Sequence, residues 1–267
     1  MNLSPLLQNF SIVLNRPKIP ENIGAAARAA SNMGMGHLIV VDPESLDRER
    51  MLRMATHKAA QVVKEMRVYP ALKEALSEFH CVVGTTARTG GVRRPIFTPR
   101  EVASELLKFA PHNHVALVFG SEDRGLTTDE IRYCHWLVKI PTAEFSSLNL
   151  AQAVMIMSYE VYLASLTPPE EVIPRLATSQ ELELMYEKVK EILIKISFIQ
   201  PDNPDHWLMN IRRFFSRIGL RSTEVNLIMG ICRQVSWYGK PRPQGRVHGP
   251  EFEKNNEPGK GLGNEGP

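Results

Sequence analysis

Short apolar runs alternate with longer helical patterns along the first 165 residues. Phe10–Leu14 (FSIVL), His37–Val41 (HLIVV), Cys81–Gly84 (CVVG), Val115–Phe119 (VALVF) and Trp136–Ile140 (WLVKI) show no clear in-and-out alternation. Such runs, separated by helices, predict an α/β fold whose parallel sheet is covered on both faces. The intervening stretches supply the helices. Glu21–Gly34 opens beside Pro20, is dense in alanine and closes on glycine, which are helix start and stop signals. Arg48–Val63 and Pro70–Phe79 read as helical, and Pro99–Phe109 carries Val102, Leu106 and Phe109 at helical spacing. Thr127-x-x-Glu130 is a capping box that opens a short helix before the fifth strand. Pro141 ends that strand because it has no N–H for the ladder, and a strong helix covers Asn149–Leu166.

The pattern breaks at LTPPEEVIPRLATS, Leu166–Ser179, where proline and short polar residues predict a linker over 166–178. Three amphipathic patterns follow: Gln180–Ser197 behind a capping box at Thr178 and Glu181, Asp205–Ile218, and Ser222–Trp237. They define a small all-helical C-terminal extension over 179–238. Beyond it, Lys240–Pro267 holds six glycines and five prolines in 28 residues, and 239–267 reads as a disordered tail. The first unit, 1–165, is the sheet domain.

Composition narrows the function classes. A net charge of +3 on 267 residues is too small to prove a polyanionic partner, so any basic patch is local. Cys81, Cys134 and Cys232 are widely spaced and form no Cys-x-x-Cys pair, which argues against a disulfide framework or thiolate zinc site and fits a reducing cytoplasm. The N-terminus has no basic segment ahead of its apolar residues, as a secretion signal would. No apolar run approaches the ~20 residues that span a bilayer, so no membrane partner is expected.

In an open parallel sheet, ligands bind beyond the carboxyl ends of the strands. Three loops lie there: Thr85–Arg88, Gly120–Gly125 and Ile140–Asn149. Gly34–Gly36 precedes a strand, whereas a dinucleotide fingerprint follows one. Gly120–Thr127 has P-loop glycines, but Leu126 stands where the phosphate-binding lysine belongs. None of the three loops holds a histidine, so a metal hydrolase has little support, and no Gly-x-Ser-x-Gly elbow is present. The remaining polar residues have two readings each. Arg28, within AAARAA, is a solvated cation or an anion anchor; Glu122 is a turn residue or a pocket wall; Asn149 is a helix cap or a functional amide.

Taken together, NIGAAAR (Asn22–Arg28), FGSEDRGL (Phe119–Leu126) and IPTAEFSSLNLAQA (Ile140–Ala153) resemble the three serial motifs of the SpoU/TrmH branch of the SPOUT RNA methyltransferases. The resemblance covers roughly residues 10–165. The extension, with NIRRFFSRIGLRSTEVNLIMGI, is similar to that of bacterial enzymes that 2′-O-methylate nucleotide 32 of tRNA. The resemblance implies a homodimer, a deep C-terminal trefoil knot in the sheet domain, and S-adenosyl-L-methionine as methyl donor, with tRNA as substrate and no metal. Carried onto this sequence, the cofactor positions are Thr85, Thr86, Ala87, Gly120, Ile140, Ser147, Leu148 and Asn149. The catalytic positions are Asn22, Arg28, Glu122, Ser147 and Asn149, with Asn22 and Asn149 expected to orient Arg28. Ser121 stands where the family usually carries asparagine or arginine. Arg88, Arg93, Arg94, Arg212, Arg213, Arg217 and Arg221 are candidate RNA contacts or a solvated charged face. Ile211, Phe214, Phe215 and Ile218 offer an apolar face that could dock on a partner subunit. The alternatives are another tRNA or ribosomal position, or a non-catalytic RNA-binding protein of the same fold.

Overall fold

A computed structural model describes residues 5–87, 96–144, 147–200, 202, 204–216 and 219–238. After a 3-10 turn at Pro5–Asn9 come β1 (Phe10–Asn15), α1 (Pro20–Asn32), β2 (His37–Val41), α2 (Arg48–Met54) and α3 (His57–Glu65). The chain continues through β3 (Arg67–Tyr69), α4 (Leu72–Ala75), β4 (Cys81–Thr85), β5 (Ile96–Phe97) and α5 (Pro99–Phe109). Then follow β6 (Val115–Phe119), α6 (Thr128–Ile131), β7 (Trp136–Val138) and α7 (Leu150–Ser165). The extension holds α8 (Ser179–Lys195), α9 (Pro204–Ser216) and α10 (Ser222–Tyr238).

Among the described residues, the strands form one seven-stranded sheet in the order β3-β2-β1-β6-β4-β7-β5, and every pair is parallel. β1 is buried along its whole length, as a central strand covered on both faces must be. Ile12, Leu14, Val83 and Leu117 share one core with Ile23, Leu106 and Val154 of the helices α1, α5 and α7. Val13, Ile39, Val82 and Val118 share the opposite core with Leu72, Leu76 and Ile131. α1 lies very close to α2: a Cβ on Gly24 would stand 2.0 Å from the Met51 carbonyl oxygen.

The structure departs from the pattern reading at small elements. β3 and β5 are three and two residues long and lie at the sheet edges, too short to leave an apolar run. The mixed helical region expected over 48–63 resolves into two helices, because Ala55 and Thr56 take extended backbone between α2 and α3. The helix expected over 70–79 narrows to α4. The tail beyond Tyr238 lies outside the described residues.

The extension has its own core of Leu182, Met185, Tyr186, Leu208, Leu220 and Val225, against which Ile211 and Phe215 pack. Those two side chains are partly buried inside the extension; Phe214 is exposed, and Ile218 lies outside the described residues. Residues 166–178 contain no helix or strand, yet they are bonded to the sheet domain at several points.

Candidate active site

The three loops singled out from the sequence converge at the carboxyl ends of β4, β6 and β7. They line a cavity of about 260 Å³ with Thr85, Thr86, Ala87, Gly120, Ile140, Ser147 and Leu148 in its wall. Asn149 borders it without lining it. The Thr86 N–H donates to the Val138 carbonyl at 2.9 Å, and the Thr85 hydroxyl donates to the Val118 carbonyl at 3.1 Å. These bonds hold the first loop against both neighbouring strands. The second loop folds back on itself: the Gly125 N–H donates to the Ser121 carbonyl at 2.8 Å. Gly125 has φ +64°, a conformation that side chains rarely adopt, and a Cβ on Gly120 would meet the Gly125 carbonyl carbon at 2.1 Å and the Leu126 nitrogen at 2.3 Å. Glycine at 120 is thus a geometric requirement of the cavity floor.

A chain of hydrogen bonds joins the three motifs. The Glu122 carboxylate accepts from the Lys18 N–H at 2.9 Å, the Ile19 N–H at 3.3 Å and the Asn22 side-chain amide at 2.8 Å. A carboxylate can only accept here, so the Asn22 NH₂ must face it and the Asn22 oxygen must face away. That oxygen accepts from the Asn149 amide at 2.9 Å, which turns the Asn149 oxygen toward the Ala151 N–H, 2.9 Å away. Asn149 is accordingly both the N-cap of α7, in a capping box with Gln152, and the end of a directed polar chain. Asp123 beside it bonds the Lys18 ammonium at 2.9 Å and the Ser121 hydroxyl at 3.0 Å; the Lys18 bond is the main cause that holds Asp123 down to about 2. The sequence gives no sign of the Lys18–Asp123 pair: Asp123 lies within FGSEDRGL, but Lys18 is 105 positions away and outside the motifs.

Arg28 stands apart from this chain. It is exposed on α1, and neither Asn22 nor Asn149 bonds it: their amides are spent on each other, on Glu122 and on the cap. The expectation that they orient Arg28 is corrected accordingly. Of the arginines considered for RNA, Arg212 is also corrected. Both terminal guanidinium nitrogens, Nη1 and Nη2, donate to Glu183, the latter at 2.7 Å, the Arg212 Cζ lies 4.4 Å from the centre of the Tyr186 ring, and the residue is buried at 6% exposure. It braces α9 on α8. Its spacing from Leu208, one turn earlier on the buried face, is the signal that was available. Arg213 is half-buried and Arg221 exposed; Arg88, Arg93, Arg94 and Arg217 lie outside the described residues. Among the described residues, no group of three His, Cys, Asp or Glu side chains could hold a metal ion, and no helix is long and apolar enough to cross a membrane.

A parallel sheet whose cavity is walled by Thr85–Ala87, FGSEDRGL and IPTAEFSSLNLAQA, with NIGAAAR bonded to its edge through Asn22, defines a class, and the comparisons agree: residues 9–159 match the SpoU rRNA Methylase family, to which the chain belongs. Residues 180–246 match the C-terminal domain of the tRNA methyltransferase TrmJ. The chain is 38% identical over 244 residues to the tRNA (cytidine/uridine/adenosine-2′-O-)-methyltransferase TrmJ of Pseudomonas aeruginosa, covering 86% of this chain and 95% of that protein. It is 34% identical over 243 residues to the tRNA (cytidine/uridine-2′-O-)-methyltransferase TrmJ of Klebsiella pneumoniae, covering 88% and 99%. The crystal structure of TrmJ from Z. mobilis superimposes with a TM-score of 0.73 at 31% identity, covering 85% of this chain and 98% of that one.

Proposed function

We propose that this protein is a cytoplasmic, homodimeric tRNA 2′-O-methyltransferase that uses S-adenosyl-L-methionine and acts at nucleotide 32 of the anticodon loop. The observation that carries the reading is the Glu122–Asn22–Asn149 chain at the edge of a glycine-floored cavity, in a chain that also carries the TrmJ-type extension. The deep trefoil knot implied by the sequence resemblance belongs to the same reading.

The residues present fit the methyl donor. Gly120 leaves room where any Cβ would collide with the turn, and Thr85, Thr86, Ala87, Ile140, Ser147 and Leu148 surround the space with backbone and small polar groups. The bound donor supplies a methyl group already activated by the sulfonium charge. The protein's tasks are then to align the ribose oxygen and to manage its proton. A guanidinium is a poor base because it keeps its proton in proteins. Arg28 acts instead as a clamp that holds the RNA phosphate and polarises the 2′-oxygen. Because Arg28 does not line the cavity of its own chain, the homodimer gives it a target: the cavity of the partner subunit. Asn22, Glu122 and Asn149 fix the first turns of α1 and α7 against each other and so shape the entrance that the ribose crosses.

The test is transfer of labelled methyl from S-adenosyl-L-methionine to bulk tRNA, with ribose methylation mapped. Label at nucleotide 32 is expected. Label at another position keeps the chemistry and overturns the assigned site; donor binding without label on any RNA overturns the catalytic reading in favour of RNA binding alone.

A further inference from the structure

Asn113 bonds the segment between the sheet domain and the extension at three points. Asn113, in the turn before β6, is 2% exposed. Its amide nitrogen donates to the Phe109 carbonyl at 2.9 Å, holding Asn113 on the end of α5, and to the Pro174 and Ile173 carbonyls at 3.2 and 3.4 Å. Its oxygen accepts from the Leu176 N–H at 2.8 Å. Both halves of the amide are therefore spent on bonds that only asparagine, with a donor and an acceptor on one short stem, can make together.

Other bonds continue the seam on either side. The Ile173 N–H donates to the Lys108 carbonyl at 2.8 Å, and the Ser179 N–H to the Phe79 carbonyl at 2.7 Å. Gln180 N–H donates to the Ser77 carbonyl at 3.1 Å. His80 and His114 pair at a ring separation of 5.8 Å, with Arg175 Nε 3.4 Å from His80 Nε2. From Ala177 the chain enters the core of the extension directly, and the Ala177 N–H donates to the Leu220 carbonyl just ahead of α10 at 2.8 Å. Residues 166–172, by contrast, are mostly exposed. The place of α8–α10 is set from residue 173 onward, by the Asn113 bonds to 173–176 and by the Ser179 and Gln180 bonds at the start of α8, not by the length of the tether before it.

We propose that Asn113 is a positioning residue for the RNA substrate. By clamping residues 173–176 it holds the extension at one orientation to the cavity, so that tRNA bound by the extension is presented to the methyl donor. The proposal rests on the reading of the extension as tRNA-binding, and wild-type activity on tRNA separates failure of that reading from failure of this one.

The experiment compares the full-length wild type with Asn113→Ala and with two-glycine insertions at two points. One lies between Thr167 and Pro168, ahead of the clamp, and one between Pro174 and Arg175, within it. Asn113→Ala and the inner insertion are expected to speed proteolysis within 166–178 and to raise KM for tRNA about tenfold, with kcat and donor affinity held within about twofold. The outer insertion is expected to leave tRNA kinetics unchanged. The inner insertion leaves the sheet-domain core untouched, so it decides the question even where Asn113→Ala folds poorly. Faster cleavage with unchanged tRNA kinetics overturns the proposal, as does unchanged cleavage in Asn113→Ala or an equal loss from the two insertions. A wild type that does not methylate tRNA overturns the functional reading beneath it.

Discussion

Asn149 donates a hydrogen bond of 2.9 Å to Asn22 across 127 positions of sequence, and it does so while its own oxygen caps α7. One side chain thus sets the direction of a polar chain and starts a helix, and substitutions can separate the two tasks. Asn149→Ala loses both, at about 1 kcal/mol for the cap and about 1–3 kcal/mol for the acceptor left on Asn22. Asn149→Asp keeps the cap oxygen but cannot donate to Asn22. Thermal melts of the aspartate variant should recover only the cap's share of the loss, about 1 kcal/mol, while methyl transfer stays depressed; turnover restored by aspartate would show that the link to Asn22 does not matter.

Arg28 is exposed and bonds neither Asn22 nor Asn149. Arg28→Ala should therefore abolish methylation while the fold and the affinity for donor, measured by calorimetry, change by about twofold at most. Unchanged turnover would remove Arg28 from the reaction. Mixed dimers of Arg28→Ala with a cavity variant should regain activity if each arginine serves the opposite subunit.

Gly120→Ala places a Cβ 2.1 Å from backbone of the same turn. The turn has to open, so donor binding should vanish and the melting temperature fall. Gly36→Ala, whose Cβ would find its nearest neighbour 3.8 Å away, is the matched control and should bind donor normally. Equal binding by the two variants would mean that the Gly120 turn is not the cavity floor in solution.

His80 gives the stability a pH dependence. Burial, with His114 and Arg175 nearby, lowers it to about 4 from 6.5. Above pH 6.5 the ring is neutral in folded and unfolded chains alike and contributes nothing. As pH falls from 6.5 toward 4, the unfolded chain takes up a proton that the folded chain refuses, so stability declines, by about 3 kcal/mol at the limit. Below about 4 the folded ring also protonates and the decline stops. Denaturant titrations at pH 8 and pH 5 should show a smaller loss for His80→Gln than for the wild type. Identical losses would place the proton elsewhere.

Much of this architecture is legible in the chain because burial on two faces leaves a visible mark. FSIVL, HLIVV and VALVF are central strands, and no other element accommodates such runs so economically. Arg67–Tyr69 and Ile96–Phe97 leave no such mark, since an edge strand needs apolar residues on fewer sides. The break between α2 and α3 is hidden for a different reason: Met51, Ala55, Ala59 and Val62 keep facing the core straight through it. Away from the site, the capping boxes at Thr127 and Thr178 follow from local chemistry and are present as read. What spacing cannot carry is a partner far along the chain. Lys18 finds Asp123, and Arg212 finds Glu183, through tertiary packing alone. The basic run around Arg212 therefore looked like a surface for phosphate when one of its members is an internal brace.

The sheet order has a consequence for how the enzyme comes into being. β1 and β2 come first in the sequence, and β6, which pairs with β1, precedes α7. The cavity walls, however, come from residues 85–87, 119–126 and 139–153, and the last of them is the first turn of α7. A nascent chain that stops short of Ser147 holds most of the sheet and no complete place for a methyl donor. The methyl-donor site is thus completed by the first turn of the last helix of the sheet domain, after every strand of the sheet has been supplied.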